Sequence, residues 1–362
     1  MKLSSKIKEY SLEMVEGILD KKQELFSGLN YDRLFYFIDE NVSRLYSGQL
    51  KKFISEDHTV VIPAHETNKD YLKLADYYRN LVQAKFTRND MLVTIGGGVL
   101  QDISGFIAST LYRGIKWAFI PTTLLAQADS CIGSKTSINF DDSKNLIGSF
   151  YPPDVIFNDS SFCQTLSPEY FNSGLGEIIK FHLMSDQKGY DLLKRYLAST
   201  EIRTSPLFNE VIRSTLMIKK SYFEEDEYDT GRRNLLNYGH CLGHALESAS
   251  GFGVCHGEAV IVGMGFADLL SLKRGIMSQS KYNEFESIFQ KYYPRFDLSA
   301  ISIDDLIKYL RRDKKRVGKD LTMILSEDIG KQHKFNDIKE QEVRDMYALF
   351  VKTYPTVKGA AT

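Results

Sequence analysis

The sequence predicts an α/β N-terminal domain followed by a mainly α-helical C-terminal domain. Two observations carry that expectation. Short β-rich runs alternate with polar or amphipathic stretches of helical length through the first 160 residues, which is the pattern of a parallel sheet. Beyond about residue 165 such runs become scarce and apolar residues recur at helical spacing. Residues 1–160 are therefore expected to form one domain and 161–362 the other. No Gly/Ser-rich or Pro-rich stretch separates them, so a tight interface is expected rather than a flexible tether.

The expected strands, in order, are Leu34 to Ile38, Thr59 to Pro63, Met91 to Ile95, Trp117 to Ile120 and Val155 to Asn158. The third runs directly into Gly96-Gly97-Gly98-Val99, followed by Asp102, Gly105 and a helix through Leu111. Glycines at a strand-to-helix turn let backbone amides approach a phosphate, and the positive end of the helix dipole favours that anion. A nucleotide pyrophosphate fits the place, although the spacing is not G-x-G-x-x-G and a plain tight turn is the alternative. Asp39-Glu40-Asn41 and Glu66-Thr67-Asn68-Lys69 each follow a strand, where open α/β sheets place ligand contacts and where helix caps also occur. Asp129, Lys135, Lys144 and Asn145 sit in Gly-punctuated apolar sequence, as solvated loops or as groups facing an anion. Helical spacing then marks Tyr190 to Tyr196, Asn209 to Phe223, Glu258 to Lys273 and Ile303 to Arg312. From Leu321 onward the sequence reads as packing and a polar tail.

Composition narrows the partners. The net charge of −1 leaves no footprint of nucleic acid or an anionic membrane, so a small molecule is the expected ligand. No apolar run approaches the roughly eighteen residues needed to span a bilayer, and the N-terminus lacks the apolar core of a signal peptide. A cytoplasmic enzyme is expected. Four cysteines, without a C-x-x-C pair, read as reduced thiols rather than a disulfide framework or a thiolate zinc site.

Three of the seven histidines, His240, His244 and His256, fall close together in the segment from Arg233 to Glu258. Neutral imidazole is the commonest zinc ligand, and a catalytic zinc keeps one position open, so a metal site is expected here. His240 and His244, four apart, share a helical face as two ligands or as one ligand and one acid/base group. Glu177 and Lys180, three apart, adjoin on another helix and read alone as an ion pair. Glu247 reads as a helix-surface residue.

Gly96-Gly97-Gly98-Val99 with Asp102, Arg113-Gly114, Pro121 to Ala126, Asp129-Ser130, Lys135-Thr136, Lys144-Asn145, Gly174 to Lys180, Leu236-Asn237, Gly239-His240, Gly243-His244-Ala245 and His256-Gly257-Glu258 occur in one order along the chain. Together they resemble the 3-dehydroquinate synthase family and, more broadly, the sugar phosphate cyclases, from about Asp39 to Leu325. The resemblance implies a dehydroquinate synthase-like fold. It implies zinc or cobalt ligands at Glu177, His240 and His256, with His244 handling protons or lying on the phosphate side rather than serving as a ligand. It implies NAD held by Asp39, Asn41, Glu66, Lys69, Gly97, Gly98, Val99, Asp102, Thr122, Thr123, Lys135, Lys144, Phe162 and Thr165. Asp129, Lys135 and Lys180 are implied in catalysis, and Asn145, Lys219, Arg233 and Asn237 in holding substrate, with Lys314 or Lys315 closing over it. Arg113 is implied to reach the phosphate of the neighbouring subunit's substrate, which makes a homodimer.

The family's reaction oxidises one ring alcohol of a seven-carbon sugar-acid phosphate with bound NAD, eliminates phosphate, returns the hydride and closes a carbocycle by an aldol step. Lys219 and Arg233 match the lysine and arginine that bind the substrate carboxylate, which favours the quinate-forming member. Gln101 and Ser134 stand where the family usually has glycine, and Cys241-Leu242 replaces the usual Thr-Phe. A cyclase for another sugar phosphate is therefore the alternative, and a metal-dependent alcohol or glycerol dehydrogenase the more distant one.

Overall fold

The computed structural model describes residues 1–141, 143–251, 253–311 and 320–353. They divide into two compact units, one of Met1–Leu166 with Lys219–Glu227, the other of Ser167–Ile218 with Tyr228 onward.

The first unit is built on a seven-stranded sheet. Its strands are β1 (Lys2–Ser4), β2 (Glu9–Met14), β3 (Leu34–Asp39), β4 (Thr59–Ile62), β5 (Met91–Gly96) and β6 (Lys116–Pro121), with β9 (Val155–Asn158) after the hairpin β7 (Lys135–Phe140) and β8 (Ser143–Phe150). The sheet order is β1-β2-β9-β6-β5-β3-β4, and every neighbouring pair except β1 with β2 is parallel. Strands β3 and β5 are buried at every residue, as a parallel sheet covered on both faces requires. From β3 the chain adds β4 on one side and β5 on the other, so the order reverses between β3 and β5. Ligands of open α/β sheets bind at such a reversal, outside the carboxyl ends of the strands. Asp39 ends β3 and Gly96 ends β5 at that place.

All five strands expected from the sequence are present within a residue or so of their expected limits. Three features are additions. Strands β1 and β2 extend the sheet, and the stretch holding Lys135, Lys144 and Asn145 is an antiparallel hairpin, not loops. The third is in the second unit, where β10 (Leu321–Asp328) and β11 (Lys331–Ile338) pair antiparallel and helix Glu340–Thr353 follows. The polar alternation of β11 hid it as a tail, because only Gln332 and Ile338 of that strand are buried.

The second unit is otherwise helical. Its central helix, His256–Lys273, is buried continuously from Gly257 to Ser271. Glycines let other backbones approach it. A Cβ on Gly176 would meet the Gly257 carbonyl, and one on Gly257 would meet the Ser173 carbonyl. Helices Pro168–Leu183 and His256–Lys273 are thus in backbone contact. A Cβ on Gly243 would lie 3.1 Å from the Ala259 carbonyl, so helix His240–Ala249 is similarly close. No helix among the described residues is long and apolar enough to cross a membrane.

Candidate active site

These glycine contacts explain why Glu177, His240 and His256 meet. Glu177 stands one residue after Gly176, His256 one before Gly257, and His240 starts its helix behind Gly239, whose φ of 77° few other residues adopt. Glu177 is 0 % exposed. Its Oε2 lies 2.5 Å from Lys180 Nζ, and its Oε1 lies 3.5 Å from Nε2 of both His240 and His256.

The outer ring nitrogens decide what those inner atoms can do. His240 Nδ1 is 3.2 Å from the Tyr238 carbonyl, which can only accept, so Nδ1 carries the proton and Nε2 presents its lone pair. His256 Nδ1 is 3.1 Å from Glu247 Oε2, which fixes the same tautomer through a carboxylate. Two imidazole Nε2 atoms and a carboxylate oxygen therefore converge, and the neighbours of the Glu177 oxygens are those two nitrogens and the Lys180 ammonium. A tetrahedral ion with bonds of about 2.0–2.2 Å sets its ligand atoms roughly 3.3–3.6 Å apart. The donor set and its spacing fit a divalent cation.

The electrostatics agree. Burial alone would raise the Glu177 carboxyl, but Lys180 foremost, and hydrogen bonding to His256, hold it well below the usual range. Burial first, and Lys180 second, keep His240 neutral by holding its pKa well below 6.5. Burial would also lower His256, yet hydrogen bonding to Glu177 and Glu247 pushes it up to about 10, so a proton takes the cation's place when none is bound.

His244 is exposed, and its ring centroid lies 5.2 Å from that of His240 and 5.6 Å from that of His256. The ligand atoms of the three histidines all fall within 4.8 Å of one another. Lys180 is 2 % exposed with its ammonium 4.6 Å from the Phe181 ring centroid. Arg233 and Asn237 lie in the 3-10 segment Arg232–Asn237 just before His240, and the Asn237 amide donates to the Asn234 carbonyl at 2.7 Å. Lys314 and Lys315 lie outside the described residues. Glu247, read from the sequence as a surface residue, is instead the partner of His256. Its spacing from His256 is not a familiar ligand pattern, so only the fold reveals it.

In the first unit, Gly97 caps helix Gly98–Thr110, and Val99 lies in its first turn. The space where Gly98 would carry a Cβ is open, whereas a Cβ on Gly97 would lie 2.9 Å from Thr123 Cγ2. Thr122 N donates to the Gly96 carbonyl at 2.9 Å, and Thr123 Oγ1 accepts from Ala126 N at 3.2 Å, which fixes the loop after β6 against the glycine turn. The bare helix N-terminus and the open space before it fit a pyrophosphate. Asp39 is buried and accepts from Asn41 N at 2.7 Å, and burial raises its carboxyl.

Beside this loop lies a buried polar network. Lys69, 5 % exposed, places Nζ 2.8 Å from Asp102 Oδ2, 2.7 Å from Asn145 Oδ1 and 3.4 Å from Glu66 Oε1. Burial lowers the lysine, but Asp102 and Glu66 outweigh it and hold its pKa above the ordinary value. Asn139 donates to Glu66 Oε1 at 2.8 Å, and Lys144 Nζ is 4.0 Å from the same oxygen. The structure thus gathers Glu66, Lys69, Asp102, Lys144 and Asn145. Asn145, expected among the substrate residues, has its amide oxygen on Lys69 and Ser137.

Lys219 places Nζ 2.6 Å from Asp129 Oδ1 and donates to the Asp129 carbonyl at 2.7 Å. Lys135 begins β7 with an exposed side chain. Its neighbour Ser134 donates to Glu227 at 2.5 Å, and buried Glu227 also accepts from Ser5 Oγ at 2.6 Å. Nothing in the sequence pattern signalled that anchor. Phe162 is packed in the core at 5.0 Å from the Tyr46 ring, and Thr165 Oγ1 lies 3.0 Å from the Tyr46 hydroxyl. Arg113 is exposed in a turn where Tyr112, Arg113 and Gly114 have φ of 49°, 62° and 123°.

A glycine-loop parallel sheet and a helical unit with a two-histidine, one-carboxylate cluster define a class of proteins that equips one chain for a nucleotide and a metal. The 3-dehydroquinate synthase N-terminal family profile matches residues 59–173, and the 3-dehydroquinate synthase C-terminal profile matches residues 174–316. A 3-dehydroquinate synthase of Clostridium botulinum strain Alaska E43 is 34 % identical over 331 residues, covering 90 % of this chain and 94 % of that one. One of Dictyoglomus thermophilum is 34 % identical over 345 residues, covering 95 % and 96 %. Among solved structures, the 2-epi-5-epi-valiolone synthase of Streptomyces hygroscopicus subsp. jinggangensis 5008, with NAD+ and Zn2+ bound, superposes with a TM-score of 0.86 at 26 % identity over 97 % of this chain and 99 % of that one. The chain belongs to the 3-dehydroquinate synthase family.

Proposed function

We infer that this chain is a 3-dehydroquinate synthase, a carbon–oxygen lyase that converts 3-deoxy-arabino-heptulosonate 7-phosphate to 3-dehydroquinate and phosphate. The observation that carries the reading is the convergence of Glu177 Oε1 with the lone pairs of His240 and His256 at 3.5 Å, in a chain of this family. NAD and one zinc or cobalt ion, when bound, supply a reversible hydride acceptor and a Lewis acid for the alcohol and ketone oxygens.

The residues divide the remaining work. Glu177, His240 and His256 hold the ion. Lys180 keeps Glu177 ionised and presents a buried ammonium where oxyanion charge develops. Gly97, Gly98, Val99, Thr122 and Thr123 cradle the NAD pyrophosphate, while Asp39, Asn41, Phe162 and Thr165 form the rest of the dinucleotide site. Glu66, Lys69, Asp102 and Lys144 would belong to the dinucleotide site as well, with Asn145 joined to them through Lys69. Asp129 and Lys135 serve catalysis, His244 exchanges protons with solvent from its exposed position, and Asn237 orients the substrate. Arg233 would take the substrate carboxylate as a bidentate partner, and Lys219 would supply a second positive charge for it. Arg113, held outward on a strained turn, reaches the substrate phosphate of a second copy, so the working form is a homodimer in the cytoplasm, serving the shikimate route.

The test is identification of products from a panel of sugar phosphates. The acid yields the carbocycle and inorganic phosphate without net NADH. Cyclisation of a neutral sugar phosphate, with the acid inert, would overturn the assignment. The ion pair of Lys219 with Asp129 favours that second reading, because it leaves the lysine less charge to offer a carboxylate.

A further inference from the structure

Tyr238 faces two ways. Its ring is 0 % exposed, and its hydroxyl donates to Asp268 Oδ1 at 2.6 Å. Its carbonyl meanwhile accepts from His240 Nδ1 at 3.2 Å. Tyr238 also closes the 3-10 segment Arg232–Asn237 and precedes Gly239, where a Cβ would lie 2.6 Å from the Val260 carbonyl and 2.7 Å from Met264 Cγ. The short stretch that carries Arg233, Asn237 and His240 is therefore fixed to helix His256–Lys273 at two points, the Gly239 contact and the Tyr238 hydroxyl.

Asp268 is an expensive anchor. It is 1 % exposed, its Oδ2 has no hydrogen-bonding partner among the described residues, and the acidic Glu286 lies near it. Glu286 is itself held by the Tyr293 hydroxyl at 3.0 Å. Apolar side chains of similar volume would fill this space at lower cost, because a buried carboxyl with one donor is poorly compensated. What an apolar pair would not supply is direction. The Tyr238 hydroxyl, bonded to Asp268 and also to Ser326, holds the side chain in one place, and the carbonyl of the same residue sets the His240 tautomer.

We propose that Tyr238 and Asp268 form a buried pin that positions His240 for metal binding. Both are positioning residues, since neither touches the ion, and the inference rests on the metal reading given above. The direct partner of His240 is the Tyr238 carbonyl, a contact of the kind worth about 10–100-fold in metal affinity, and the pin acts on it from one step further out.

The experiment uses the full chain. Zinc dissociation constants are measured by competition with a chromophoric chelator, and the visible spectrum of the cobalt(II)-loaded protein reports ligand geometry. Tyr238→Phe and Asp268→Ala should bind zinc about three- to tenfold more weakly, with shifted cobalt bands, the full loss of the direct partner being the upper bound. Asp268→Asn keeps an acceptor for the tyrosine hydroxyl and should restore both readouts. A Tyr238→Phe protein with wild-type zinc affinity and cobalt spectrum, whatever its melting temperature, would overturn the pin, and so would Asp268→Asn as weak as Asp268→Ala. If Asp268→Ala does not fold, Tyr238→Phe against Asp268→Asn makes the same decision. A wild-type chain that binds no zinc would instead bring down the metal reading itself.

Discussion

Replacing Glu177 by glutamine removes one charge from a pair that solvent does not reach. Lys180 Nζ lies 2.5 Å from the carboxylate, and the two side chains are 3 % and 0 % exposed. At an effective dielectric of about 20 their attraction is on the order of 7 kcal/mol, most of it offset by the cost of burying both charges. Removing one partner leaves the desolvation of Lys180 uncompensated, so Glu177→Gln should destabilise the metal-free protein by about 3–5 kcal/mol. For a unit of this size that lowers the melting temperature by roughly 6–20 °C. The double variant Glu177→Gln, Lys180→Met removes the stranded charge and should recover most of the loss, still without binding zinc. Urea unfolding of the apo proteins measures both effects. A loss under about 1 kcal/mol for the single variant, or no recovery in the double, would refute the buried-pair argument. The pH sign follows from the depressed carboxyl. The pair's contribution is complete above the unfolded glutamate pKa of about 4.3 and is lost as pH falls through the lower folded value.

Zinc binding should itself depend on pH. His256 in the apo protein titrates at about 10 against about 6.5 unfolded, so its protonated form stabilises the fold fully below about 6.5 and ceases to as pH rises through 10. Zinc must displace that proton, so competition titrations should find affinity rising about tenfold per pH unit between roughly 7 and 9, and a flat profile contradicts the proton's location. Gly257→Ala drives a methyl into the Ser173 carbonyl and should cost at least about 1–3 kcal/mol while separating Glu177 from His256, read as a lower melting temperature together with lost zinc. Arg233→Ala should lower kcat/KM for the acid substrate about 100-fold with zinc content unchanged, and equal loss of zinc would make the arginine structural.

The strands of the first unit were legible because both their faces are buried, which writes each as a compact apolar run between polar stretches. Strands β8 and β11 were not, since an exposed strand has no such signature. The histidine cluster stood out by composition. Glu177 became a ligand candidate only through the family resemblance, because at i, i+3 from Lys180 it looks like any helical ion pair. The roles of Glu247, Glu227 and Asp268 depend on contacts between segments 9, 93 and 30 residues apart, which no local pattern records. The glycines at 176, 243 and 257 are conspicuous in sequence, yet their purpose, bringing three helices into backbone contact beneath the site, needs the fold.

The central claim is that one divalent ion is held by Glu177, His240 and His256. Anomalous diffraction at the zinc edge from crystals of the zinc-loaded protein tests it most directly. A single peak about 2.0–2.2 Å from Glu177 Oε1 and from Nε2 of both histidines is the predicted result. A peak bound by His244 in place of Glu177, or none in this cluster, would contradict the account.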